Sequence, residues 1–248
     1  MSYLDKRLGF LAKTIPGATG VFHKYQLDFC CGGNKTLGEA AANSGIDPQT
    51  ISDELNALLT FDSGQKCWND VPNLELIEHI LTRYHDVHRQ QLPELIRLAN
   101  RVETVHSDHP ECPLGLANYL EKMQSELEHH MCKEENILFP MLSQGAEHMA
   151  TGPVSVMRRE HDDHGEHLAM LERLTYGIQP PKGACNTWRA LYLGLRTFKE
   201  DLMDHIHLEN NILFDRVDGH VARRQGMGIV DSLSEAAVTR EDCCGHCS

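Results

Sequence analysis

From residue 74 onward, apolar residues recur three and four positions apart in four long segments, about 74–104, 114–143, 154–176 and 186–217. This is the spacing of helices that each bury one face. The first stripe is Leu81, His85, His88, Leu92, Leu95, Ala99 and Val102, and the second is Leu120, Met123, Leu127, His130, Glu134, Ile137 and Met141. The third is Val154, Met157, His161, His164, Leu168 and Leu171, and the fourth is Leu191, Leu195, Phe198, Leu202, His205, Glu209 and Ile212. The breaks between segments carry Pro110, Pro113, Gly145, Gly152, Pro153, Gly177, Pro180, Pro181 and Gly183. Such short connections make neighbouring helices antiparallel, so the pattern predicts an all-α, up-down-up-down four-helix bundle over 74–217. Pro93, inside the first segment, predicts a kink.

Residues 1–62 read as a small helical domain ahead of the bundle, with 63–73 as a linker. Thr36-Leu37-Gly38-Glu39 is a capping-box pattern for a short helix ended by Gly45. Asp47-Pro48 opens another, running to about Leu59, with Asp as N-cap and Pro in the first helical position. Before them, Asp28-Phe29-Cys30-Cys31-Gly32-Gly33-Asn34 reads as a tight turn with two adjacent thiols exposed at its tip, candidates for redox or metal chemistry. Residues 218–248 form a C-terminal extension ending Cys243-Cys244-Gly245-His246-Cys247, a composition suited equally to soft-metal binding or thiol exchange and to an inert tail.

Every stripe is interrupted midway by ionisable residues, and the interruptions repeat. His130-Met131-Cys132-Lys133-Glu134 returns 75 residues later as His205-Ile206-His207-Leu208-Glu209. Arg83-Tyr84-His85-Asp86-Val87-His88 returns at an offset of 76 as Arg159-Glu160-His161-Asp162-Asp163-His164. The two matches describe a duplicated helical hairpin. His-x-x-x-Glu stacks an imidazole and a carboxylate on one helical face. A carboxylate buried alone would take up a proton. Two carboxylates and at least four imidazoles at matched depth therefore call for a shared metal centre. Two carboxylates able to bridge favour two irons over a single zinc, although imidazole also suits copper, zinc and nickel. Spacing leaves two choices open, between His85 and His88 and between His161 and His164, since residues three apart share a face.

Composition narrows the setting. A formal charge of −13 disfavours sequence-independent binding to nucleic acid or an anionic membrane. No apolar run approaches the roughly 18–20 residues of a membrane span, and no signal-like core follows the N-terminus. Nine cysteines without a disulfide-framework spacing suit a reducing compartment, so a cytoplasmic protein is expected. Sixteen histidines strengthen the metal reading.

These residues resemble a known family. Tyr25-x-x-Asp28-x-Cys30-Cys31-Gly32-Gly33, Arg83-Tyr84-His85-Asp86-x-His88-Arg89-x-Gln91-Leu92-Pro93, His130-x-x-Lys133-Glu134-Glu135-x-Ile137-Leu138-Phe139-Pro140, Glu160-His161-Asp162 and Asp204-His205-x-x-Leu208-Glu209-Asn210-Asn211 carry the resemblance, from about Leu8 to residue 217. Together they are similar to bacterial iron–sulfur cluster repair di-iron proteins, the repair-of-iron-centres group with a hemerythrin-like domain. The resemblance implies two iron ions in an oxo- and carboxylate-bridged centre, with His85, His130, His161 and His205 as ligands and Glu134 and Glu209 as bridges. It implies stress-induced repair of iron–sulfur proteins damaged by nitric oxide or peroxide, by donation of iron. The alternatives are binding or reduction of nitric oxide at the same centre, which would make the protein an enzyme, and oxygen binding as a carrier or sensor. A homodimer is a candidate assembly. The tail beyond residue 217 departs from the family pattern.

Overall fold

The capping box forms as the sequence requires. Thr36 Oγ1 accepts from Glu39 N at 3.2 Å, and the Glu39 carboxylate accepts from Thr36 N at 2.9 Å, opening α3 (Leu37–Asn43). Gly45 follows in the left-handed region (φ +67°), and Asp47 caps α4 (Pro48–Leu58) by accepting from Gln49 N. Ahead of these lie α1 (Leu8–Thr14) and α2 (Ala18–Lys24). The computed structural model describes residues 3–60 and 66–224, and the Cys243-Cys244-Cys247 cluster lies outside the described residues. Secondary structure among those residues is helical apart from one isolated antiparallel bridge, Arg7 to Thr36.

The four bundle helices run antiparallel, and three of them are composite. The first is α5 (Asn73–Ile80), a π turn over Leu81–His85, and α6 (Asp86–Val105), which continues through Pro93. The second is α7 (Leu116–Lys133), a π turn over Glu134–Leu138, and α8 (Phe139–Ser143). The third is the uninterrupted α9 (Thr151–Leu174). The fourth is α10 (Asn186–Leu208), a π turn over Glu209–Leu213, and α11 (Phe214–Arg224). α6 packs against α7 and α10, and α7 packs against α9.

The apolar core is divided in two by the ionisable layer. One cluster holds Leu76, Ile80, Leu138, Phe139, Met157, Ile212 and Phe214. The other holds Leu92, Leu95, Leu127, Leu168, Phe198 and Leu202, and continues without a break into Leu8, Phe22, Phe29, Leu37 and Leu55 of the N-terminal helices. The N-terminal helices thus share a core with the bundle they precede. That packing corrects the exposed-thiol expectation. Asp28 folds its turn back by accepting from Cys30 N, Cys31 N and Gly32 N at 2.9–3.2 Å, and the turn faces the bundle. Cys30 is only 5% exposed and Cys31 is half-buried.

A π turn inserts one residue into a helix and rotates everything beyond it by about 100°. The sequence stripe placed Ile137 in the seam, but it is 53% exposed while Leu138 is 1% exposed. Leu138→Ala is therefore expected to destabilise the chain by about 2–5 kcal/mol. Ile137→Ala is expected to stay within about 0.5 kcal/mol of the parent. Chemical denaturation of the two variants measures the contrast, and equal losses would contradict the register.

Candidate metal centre

The duplicated His-x-x-x-Glu motifs bring Glu134 and Glu209 to the middle of the bundle, and both are fully buried. Each carboxylate begins a π turn, and His85 ends the third one. π turns gather at functional sites because the extra residue re-aims a side chain. His85, His130, His161 and His205 surround the two carboxylates, each at most 2% exposed. The six side chains form two quartets that share both glutamates: His85, Glu134, His205, Glu209 and His130, Glu134, His161, Glu209. Within each quartet the facing atoms lie within 4.8 Å of one another.

The contacts are close and match in pairs. Glu134 faces His130 Nε2 at 3.2 Å and His85 Nε2 at 3.4 Å; Glu209 faces His161 Nε2 at 3.1 Å and His205 Nε2 at 3.2 Å. The paired imidazoles approach Nε2 to Nε2, His85 to His205 and His130 to His161, at 3.1 Å each.

Tautomers explain why a cation belongs there. Nδ1 of His85 donates to Glu135 at 2.8 Å, Nδ1 of His130 to Glu160 at 3.0 Å, and Nδ1 of His161 to Asn210 Oδ1 at 2.8 Å. With the proton held on Nδ1, a neutral imidazole turns the lone pair of Nε2 inward. Facing lone pairs repel, and all four oxygens of Glu134 and Glu209 lack a hydrogen-bond partner. Acceptors on every side with no donor among them fit a bound cation. His205 alone lacks an orienting partner at Nδ1, and its ring stacks on Tyr84 instead, 9° from parallel.

Proton affinities in the cluster follow the same charges. Burial opposes charge on His130, but Glu134 and Glu160 outweigh it and lift its pKa to about 10. His85 is raised in the same way, burial being outweighed by Glu134, whereas on His205 burial wins and the pKa falls. Burial works against ionised Glu209 too, yet His205 and His161 hold it well below the usual carboxylate range. Glu160 is drawn down to about 2, first by His130 and then, against burial, by Lys133. A metal ion would displace the protons these imidazoles attract.

His88 and His164, the alternatives that spacing left open, lie outside both quartets. Both are at least nine-tenths buried and kept neutral by that burial, each with an unpartnered Nε2. The thiols approach the centre from outside it. Cys31 Sγ donates to His161 O at 3.1 Å, Asn210 Nδ2 donates to Cys30 O, and Asn211 Nδ2 donates to Phe29 O, both at 3.2 Å. Neighbouring Cys31, with burial, raises the Cys30 pKa far above its ordinary value, so Cys30 is a thiol.

Sequence reasoning assigned no role to Glu135, Glu160 or Asn210. Each stands beside a quartet member in sequence, after Glu134, before His161 and after Glu209, and each orients an imidazole on a different helix. That adjacency was a readable signal.

Comparison with known proteins agrees with this geometry. Residues 76–217 match the family model described as Hemerythrin HHE cation binding domain, and residues 4–59 match a Domain of Unknown function (DUF542). The chain is 50% identical over 216 residues to the iron-sulfur cluster repair protein YtfE of Pectobacterium carotovorum subsp. carotovorum, covering 87% of this chain and 98% of the relative. The chain belongs to the iron-sulfur cluster repair protein YtfE family. YtfE proteins of Dickeya chrysanthemi and Escherichia coli O139:H28 match over the same shares, at 51% and 50% identity. These YtfE matches extend beyond the bundle, since 87% of the chain also takes in helices ahead of it. No helix among the described residues is long and apolar enough to cross a membrane.

Proposed function

We propose that this chain holds two iron ions, one in each quartet with Glu134 and Glu209 bridging, and repairs iron–sulfur clusters damaged by nitrosative or oxidative stress by donating iron. The observation that carries this is the pair of fully buried carboxylates with no hydrogen-bond donor on any oxygen, ringed by four imidazole nitrogens. The name of the relatives supports the same reading. When bound, iron supplies redox-active metal in a nitrogen-rich site and is also the cargo to be handed on. Everything else is done by side chains. Glu135 and Glu160 hold protons on the outer nitrogens of His85 and His130, and are themselves tied down by Arg89 and Lys133. Asn210 does the same for His161 while its amide grips the Cys30 carbonyl, so one residue couples the thiol turn to the centre. The apolar clusters lie above and below this layer. Two imidazoles and shared carboxylates for each ion are enough to store iron and few enough to release it.

Nitric oxide reduction and oxygen carriage would use the same six side chains. The repair reading is favoured over a plain oxygen carrier by Cys30 and Cys31, docked within hydrogen-bond reach of His161 and Asn210. The test is to give anaerobically loaded protein to a cytoplasmic cluster enzyme damaged by nitric oxide, following iron by spectroscopy and the client by its activity. Cluster restoration with matching loss of iron from the donor is expected. Restoration without iron transfer would overturn donation. The Cys30→Ser, Cys31→Ser double variant is expected to keep the iron content of the parent and to restore the client several-fold more slowly. An unchanged rate would leave the thiols as packing residues.

A further inference from the structure

Of the four imidazoles around the carboxylates, three have Nδ1 held by a hydrogen bond and His205 does not. Its ring lies against Tyr84 instead, with centroids 5.5 Å apart. From Tyr84 the rings continue outward. Tyr84 meets His79 edge-on at 5.6 Å, and His79 stacks on Trp68 at 4.1 Å, 29° from parallel. Exposure rises along the same line. His205 is sealed, Tyr84 is 7% exposed, and His79 and Trp68 are half-buried. Ring contacts thus join the quartet of His85 and His205 to a cleft of ≈ 340 Å³ lined by Trp68, His79 and Tyr84.

Trp68 falls in the stretch that reads from sequence as a linker, yet its backbone is tied down. Arg216 of α11 donates to Trp68 O and Val71 O at 2.7 Å each, and Asn69 Nδ2 donates to Lys13 O at 2.7 Å. Cations stand over both outer aromatic rings. Lys66 Nζ is 4.5 Å from the Trp68 centroid, and the Arg83 guanidinium carbon is 4.9 Å from that of Tyr84. Positive charge beside a ring lowers the energy of an electron passing through it. The cleft lining also sets Lys13 and Lys66 against one carboxylate, Asp204, in a chain of formal charge −13. Other rings leave the ionisable layer less directly. From His85 and His161 they reach Phe139 and Phe214, both buried. The run from His130 through His164 and His167 to Tyr119 includes a 6.4 Å step and no indole.

We propose that the Trp68 cleft is an electron-entry site, where a reduced flavin nucleotide docks and passes electrons through Trp68, His79 and Tyr84 to ferric iron between His85 and His205. The proposal rests on the iron-donor reading and adds how the stored metal is returned to the ferrous state, which leaves carboxylate and imidazole ligands more readily than ferric iron. A flavin suits the cleft because its flat ring can lie against the indole while its phosphate meets Lys13 and Lys66. Both lysines are in surface ion pairs, with Asp215 and Glu75, which cost little to exchange for a phosphate. Two electrons leave the reduced flavin, one for each ferric ion, the second ion being reached across the shared carboxylates. The donor becomes oxidised flavin, and the protons lost from its ring pass to bulk water. No bond to the protein forms. Tunnelling falls off steeply with each gap, and closely spaced rings keep the gaps short.

The test mixes full-length protein, loaded with iron and oxidised to the ferric state, with photoreduced flavin mononucleotide in an anaerobic stopped-flow cell. Flavin re-oxidation and loss of ferric absorbance are followed together. About two electrons per chain are expected to pass, one for each ion. Trp68→Leu and His79→Leu are expected to slow the transfer several-fold with iron content unchanged. Tyr84→Leu is expected to slow it as well, and Tyr84→Phe, which keeps the ring, to restore the parent rate. Binding is read separately on iron-free protein by quenching of flavin fluorescence, which Lys66→Gln is expected to weaken several-fold. Riboflavin, which lacks the phosphate, is expected to be indifferent to that substitution. Circular dichroism checks folding, and His79→Leu decides the matter if Trp68→Leu folds poorly. Parent-like transfer in the folded Trp68→Leu and His79→Leu variants, or binding of flavin mononucleotide indifferent to Lys66→Gln, would overturn the proposal. If electrons pass through Trp68 but the reduced protein restores no damaged cluster, the donor reading falls and the entry site stands. Full restoration by a Trp68→Leu variant reduced at the parent rate would leave donation standing without this entry.

Discussion

Glu134→Ala and Glu209→Ala are each expected to cut bound iron from about two ions per chain to well below one. Each carboxylate faces imidazoles of both quartets, Glu134 toward His85 and His130 and Glu209 toward His161 and His205. Removing one would therefore take an oxygen ligand from both proposed positions at once. With the proposed pair bound, it would also leave two like-charged ions with one carboxylate between them, in an interior where charge is poorly screened. Elemental analysis of anaerobically purified variants measures the effect. Full retention of metal by both variants would contradict the shared-carboxylate arrangement.

His85→Ala is expected to lose the metal of its quartet, while His88→Ala keeps the full content. The two residues share a helical face, yet only His85 sends Nε2 to within 3.1 Å of His205 and 3.4 Å of Glu134. His88 is turned toward Gln91 and Phe198. In the corresponding pair on α9, His161 belongs to the quartet and His164 lies outside it. Iron content with circular dichroism as a control for folding separates the pair. Metal lost from His88→Ala and kept by His85→Ala would reverse the assignment.

The bundle was legible in the sequence because four amphipathic stripes with short breaks admit few other arrangements, and the repeated His-x-x-x-Glu motif marked the depth of the ionisable layer. What spacing could not decide was which histidine of each pair joins it. His85 closes a π turn, and a π turn has no signature in a period of 3.6 residues. The same blindness put Ile137 in the seam in place of Leu138. Glu135, Glu160 and Asn210 escaped because each orients a ring on another helix, and relative helix rotation is not written in any single stripe. The thiol turn was misjudged as exposed for a related reason. Gly32 and Gly33 mark a turn correctly, but what covers it comes from Asn210 and Asn211, 180 and 182 residues from their partners Cys30 and Phe29. Gly165 on α9 belongs to the same contact, since a Cβ there would meet Cys31 Sγ at 3.2 Å. A glycine in mid-helix lowers helix stability by roughly 1 kcal/mol relative to alanine, and here it gives the half-buried thiol room to approach.

The central claim is that the two quartets are two adjacent metal positions sharing Glu134 and Glu209. Anomalous diffraction at the iron absorption edge, on crystals of anaerobically purified full-length protein, tests it directly. Two iron peaks are expected, one between His85 and His205 and the other between His130 and His161, with both carboxylates reaching each. A single peak, or iron held at Asp28, Cys30 and Cys31 with the quartets empty, would contradict it.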